Sequence, residues 1–167
     1  MTNRIHPIAT VVGTTGVKGD VRLRPLSRYC DDYIGIKPLL MGISSYASND
    51  VILENTVGIG KKKRFKFEGI DSIEEAKKVV GQTIYVSAKC ADMINLIGHD
   101  LLGFKVITDE GCEVGILKDV MWLPNSDVYV VDNGVREILI PIISEVVRGV
   151  NYKDEYITIT PMDGLLD

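Results

Sequence analysis

The sequence predicts an all-β protein made of two small β-barrels, and three observations predict it. Short runs of β-branched and aromatic residues recur roughly every ten positions, bounded by Gly, Asp, Asn and Pro. A length of 167 residues gives room for two domains of about 80 residues each. The charge divides at residues 89–103 (KCADMINLIGHDLLG): residues 1–89 carry 14 Lys and Arg against 9 Asp and Glu, and residues 90–167 carry 5 against 14. The expected boundaries are 1–89 for the first barrel, 90–99 for a linker and 100–167 for the second barrel. A net +5 beside a net −9 speaks of partners rather than fold. The basic half suits nucleic acid and the acidic half suits a basic protein.

Residues 5–12 (IHPIATVV) are short, apolar and β-branched, the composition of a strand. They run into residues 13–20 (GTTGVKGD), whose three glycines can supply positive φ in a tight connection, with Lys18 at its tip. The loop fits neither GxxxxGK[ST] nor GxGxxG, so a nucleotide cradle is not indicated. Residues 21–26 (VRLRPL) alternate, placing Val21 and Leu23 inward and Arg22 and Arg24 outward. Residues 27–36 read as a short helical or looped excursion, and residues 37–43 and 51–57 as strands separated by a loop at 44–50.

Residues 61–67 (KKKRFKF) read as one strand. Period two puts Phe65 and Phe67 on one face and Lys62, Arg64 and Lys66 on the other. Unpartnered like charges repel, which suits a stripe facing phosphates. An edge strand guarded by lysines is the other reading. Residues 72–75 (SIEE) form a capping box that opens a helix reaching Val80, with Gly81 as its stop. Residues 82–87 close the first barrel, giving five or six strands and one short helix.

In the second half, strands are expected at 101–108, 113–122, 128–131, 135–140 and 156–160, with the hairpin signal DNG at 132–134. Residues 142–147 share an apolar face and read as a short helical turn, and residues 151–155 as a turn. Leu165 and Leu166 in the tail can pack back on the barrel or dock on a partner.

The chemistry that is missing narrows the function. His6 and His99 stand in no HExxH or spaced Cys/His set, and no calcium loop occurs, so neither a metal nor a cofactor is expected. No GxSxG or Ser-His-Asp spacing points to an enzyme. Cys30, Cys90 and Cys112 are widely spaced, as suits a reducing cytoplasm, and no signal peptide or membrane-length apolar run is seen. What remains is a two-module binding protein.

At this point the residues resemble the bacterial RimM family of ribosome maturation factors, the 16S rRNA processing proteins, over nearly the whole length. The resemblance is carried by residues 8–20, by residues 69–76 (GIDSIEEA) through Gly81, and by HDLLG at 99–103. Gly115, NSDV at 125–128, Ile140-Pro141 and residues 161–166 follow in order. Two positions depart: Thr15 stands where the family often has histidine, and residues 96–98 (LIG) stand where it often has adjacent tyrosines.

The resemblance implies a translation-factor-like N-terminal barrel and a C-terminal barrel of the photosynthetic-reaction-centre (PRC) type. It implies a non-enzymatic assembly factor for the head of the 30S subunit that binds small-subunit ribosomal protein nineteen and assists 16S rRNA maturation. RNA-facing candidates are Lys18, Arg22, Arg24, Lys62, Arg64 and Lys66. Candidates for the ribosomal protein are His99, Asp100, Leu101, Asn125, Asp127, Leu165 and Leu166. A cytoplasmic monomer without a membrane partner is expected. The alternative is a PRC-barrel adaptor with no RNA role.

Overall fold

The computed structural model of the chain describes residues 3–36 and 38–167. Lys37, the first residue of one expected strand, lies outside the described residues. The chain divides into two compact units, Met1–Asp92 and Met93–Asp167. Both are built on β-sheet, with few and short helices, as the sequence predicts.

Unit one contains β1 (Arg4–Thr15), β2 (Asp20–Pro25), α1 (Cys30–Tyr33), β3 (Leu39–Gly42), β4 (Ser48–Val51), β5 (Leu53–Val57), β6 (Arg64–Phe67), α2 (Ile73–Val79) and β7 (Thr83–Ala88). Its seven strands form one antiparallel sheet in the order β4-β3-β7-β1-β2-β6-β5. Seven strands and two helices replace the expected five or six strands and one helix. The apolar run at 51–57 is split at Ile52 between β4 and β5. Ile8, Val11, Val21, Leu39, Phe67 and Ile84 fill the core.

The glycine loop is a hairpin connection between β1 and β2. Gly16 and Gly19 take positive φ, +69° and +91°, and a Cβ on Gly19 would lie 2.2 Å from the Ile70 carbonyl oxygen. Gly13 plays a different part: it is a strand residue beside a bulge in β1, where the register against β2 shifts between Val11 and Gly13. The extra residue, Val12, is turned outward and is 47% exposed.

The capping box opens α2 as expected. Ser72 Oγ accepts from the Glu75 amide at 3.2 Å, while the Glu75 carboxylate reaches the Asp71 amide at 3.4 Å. Gly81, at φ +91°, ends the helix and donates to the Val11 carbonyl at 2.8 Å.

Unit two opens with two 3-10 turns, Met93–Leu96 and His99–Leu101. There follow β8 (Lys105–Thr108), β9 (Glu113–Trp122), β10 (Asp127–Asp132), β11 (Glu137–Pro141), β12 (Val147–Asn151) and β13 (Tyr156–Ile159), in the order β11-β10-β9-β8-β13-β12. Tyr129, Val131, Ile140, Ile157 and Ile159 are fully buried within one apolar cluster.

Two details differ from expectation, and a third concerns a strand direction for which the sequence carries no prediction. The strand at 101–108 begins only at Lys105, because Leu101 belongs to a 3-10 turn. Residues 142–147 make one helical turn, with the Val147 amide donating to the Ile143 carbonyl at 2.9 Å, and Val147 then enters the unexpected strand β12. The last strand, β13, pairs in parallel with β8, Tyr156 opposite Lys105 through Ile159 opposite Thr108.

Candidate nucleic-acid interface

The cations lining two pockets beside β2 and β6 fall into two groups, and the sheet decides which is which. β2 carries Asp20, Arg22 and Arg24 on its outer side, opposite Val21 and Leu23. β6 is its neighbour through the Val21–Phe65 pair, so Arg64 and Lys66 lie beside the Asp20 end of β2. There they are met by acids. Arg64 Nε lies 3.4 Å from the Asp20 carboxylate. Lys66 Nζ lies 2.7 Å from the Asp71 carboxylate and 3.7 Å from that of Glu54, and also donates to the Phe67 carbonyl at 3.1 Å and to the Ile70 carbonyl. The Asp71 hydrogen bond holds the Lys66 ammonium above the usual lysine pKa, with nearby carboxylates adding to it. Lys18, Arg64 and Lys66 share one small pocket with Asp20, Asn55 and Val57, of about 230 Å³. The repulsion expected along this stripe is thus relieved within the protein by Asp20, Glu54 and Asp71.

The second group surrounds a larger groove of about 780 Å³. Arg22, Arg24, Lys61 and Lys63 line it together with Val12, Leu23 and Phe65. Lys63 is held 3.6 Å from the Asp31 carboxylate, with its ammonium 5.6 Å from the centre of the Phe65 ring. Beside Asp31, the buried Cys30 thiol is pushed up to about 11, first by burial and then by that carboxylate.

Sequence reasoning found Arg22 and Arg24 and missed Lys61 and Lys63. It extended the strand period through 61–67, but Gly60–Lys62 is a 3-10 turn and β6 begins at Arg64. The signal was present: Gly58 and Gly60, both with positive φ, precede the lysines and mark a turn. Lys62 is exposed on that turn, outside the strand face expected for it.

In unit two the candidates are dispersed. His99, Asp100 and Asn125 are exposed. Leu101 is fully buried and Asp127 is 5% exposed, and the Asp127 carbonyl accepts from the Ile142 amide at 2.9 Å. Both belong to the interior of the unit rather than to a docking surface. Leu165 and Leu166 are half-buried and pack back against the core, and Arg136 holds the Leu166 carbonyl at 2.9 Å. Among the described residues no group of three or more His, Cys, Asp or Glu is placed to hold a metal ion. No helix among them is long and apolar enough to cross a membrane.

Two β-sheet units of opposite charge, one with a cation-lined groove, define a two-module binding protein. Residues 6–90 match the RimM N-terminal domain and residues 98–165 match the RimM PRC barrel domain. The ribosome maturation factor RimM of Trichlorobacter lovleyi is 33% identical over 96% of this chain and 94% of its own length. That of Clostridioides difficile is 31% identical over 96% and 95%. A crystal structure of a RimM protein from Pseudomonas aeruginosa covers 95% of this chain and 98% of that one, at 20% identity and a TM-score of 0.46. The chain belongs to the RimM family of ribosome maturation factors, whose members act without catalysis.

Proposed function

We propose that the protein is an assembly factor for the head of the 30S subunit, in which unit one contacts 16S rRNA and unit two binds small-subunit ribosomal protein nineteen. It acts as a cytoplasmic monomer. Binding energy spent on ordering an RNA–protein junction is the whole mechanism, and no bond is made or broken. The observation that carries the reading is the division of charge between the units. Unit one has 14 Lys and Arg against 10 Asp and Glu, and unit two has 5 against 13. Phosphates attract the first and a basic ribosomal protein the second. On unit one the surface offered to RNA is Arg22 and Arg24 with Lys18 and Lys62. Arg64 and Lys66 contribute to the same face while paired to acids. On unit two the exposed His99, Asp100 and Asn125 are offered to the protein partner.

Sedimentation of the purified chain with free 30S subunits and with 70S ribosomes tests this reading. Co-migration with 30S and not with 70S is the expected result. A folded chain that migrates with neither overturns it in favour of a protein-binding adaptor with no RNA role. For the second partner, calorimetry of the chain with ribosomal protein nineteen is expected to show saturable binding that weakens as salt rises; a folded chain giving no heat removes that partner.

A further inference from the structure

We propose that the groove of unit one takes an unpaired nucleotide of RNA, its base against Val12 and its flanking phosphates on Arg22 and Arg24. The inference rests on the reading that unit one faces rRNA, and narrows that reading to single-stranded RNA.

Three features of the groove argue for it. Its volume, about 780 Å³, is in the range of pockets that hold a small organic group. Its charge is anion-seeking, since Arg22, Arg24, Lys61 and Lys63 face a single carboxylate, Asp31, already paired with Lys63. Its lining also includes apolar Val12, Leu23 and Phe65, and this feature separates single strands from duplexes. Duplex RNA offers a surface of phosphates and sugars, its bases stacked inside, and a flat cationic face suffices to hold it. An unpaired base needs a concave apolar surface to replace its lost stacking.

The bulge in β1 supplies part of that surface by turning Val12 outward, where a regular strand would keep a Val inside or solvated. Leu23 and Phe65 line the groove as well. Arg22 and Arg24, two residues apart on one strand, stand about 6.6 Å apart along it, close to the repeat of phosphates along a nucleic-acid backbone. Adjacent phosphates can therefore sit on both guanidiniums while the base between them turns in toward Val12.

The test is fluorescence anisotropy of the full chain with a labelled ten-nucleotide single-stranded RNA, competed by a ten-base-pair RNA duplex and by a ten-residue poly-glutamate peptide. Two variants carry the same added charge: Val12→Glu in the groove lining, and Ile43→Glu on the β3–β4 turn, where the side chain is 83% exposed and lies outside the groove. The expected result is single-stranded RNA at least tenfold tighter than duplex, weakened tenfold or more by Val12→Glu and less than twofold by Ile43→Glu.

Duplex binding as tight as single strand, with the two variants alike, overturns the groove inference and leaves the rRNA-facing reading standing. Competition by poly-glutamate equal to that of RNA overturns it in favour of an acidic peptide. Binding of neither RNA, with 30S co-migration unchanged by Arg22→Ala/Arg24→Ala, overturns both.

Discussion

The ammonium of Lys66 lies 2.7 Å from the carboxylate of Asp71, a residue on the loop that leads into α2. With Glu54 and two backbone carbonyls also in reach, this lysine ties the β6–α2 connection together. Arg22 and Arg24 make no such ties among the ion pairs described. Lys66→Met is therefore expected to cost about 1–2 kcal/mol of stability, the carboxylates being exposed and screened by water. It should lower the salt dependence of 30S binding by less than loss of the arginine pair does. Arg22→Ala/Arg24→Ala should do the reverse, keeping the urea midpoint and lowering the slope of log K against log salt by about 1–2. The Lys66 contribution also has a pH signature. Because the folded pKa is raised above the usual 10.5, the stabilisation is complete below that pH and is lost as pH rises through the higher folded value. Urea titrations from pH 8 upward, wild type against Lys66→Met, read it directly: the gap should hold up to about pH 10.5 and narrow above it.

Tyr129, fully buried in β10, donates its hydroxyl to the Leu96 carbonyl at 2.6 Å. Burial raises the phenol pKa well above its usual value, so the donor proton stays in place at any physiological pH. Tyr129→Phe leaves that carbonyl without this donor, and unit two should lose about 1–2 kcal/mol. Hydrogen exchange should speed at the Ile97 amide, which donates to Ile94 in the 3-10 turn that Tyr129 holds down.

Gly115 and Gly149 are both strand glycines of unit two and predict opposite outcomes. A Cβ on Gly115 would meet the Asp132 carbonyl oxygen at 2.5 Å, whereas one on Gly149 meets nothing within 4 Å. Gly115→Ala should destabilise by about 1–3 kcal/mol through overpacking against backbone. Gly149→Ala should be neutral or slightly stabilising. Thermal melts of the two variants separate these outcomes by several degrees.

No disulfide joins the three cysteines, and Cys30 is buried while Cys90 and Cys112 are exposed. Only the thiolate reacts, and the Cys30 pKa of about 11 adds to its burial. Iodoacetamide at pH 8 should label two thiols in the folded chain and the third only in denaturant. Rapid labelling of all three would show that α1 opens readily.

What the sequence revealed follows from which interactions are local. The inward placement of Val21, Phe65 and Phe67 was readable from period two, and all three are buried. The α2 cap was readable from four consecutive residues. The partners of Lys66 and Arg64 were not, because Asp20 and Glu54 reach them only through strand pairing across the sheet. The strand β12 was hidden because VRGVN contains a glycine and follows a run with helical spacing. Its place in the sheet depends on β13, whose parallel partner lies some 50 residues back along the chain. The burial of Leu101 and Asp127 is likewise set by tertiary packing, which alternation in the local sequence does not encode.

The parallel pairing of β8 with β13 has a consequence for synthesis. In unit one every strand pairing is complete once residue 88 has been made. In unit two β8 has an exposed flank until residues 156–159 exist, so the nascent second unit stays unfinished while the first is already whole. A chain still under translation would then present its basic half first, and its acidic half only when synthesis has passed β13.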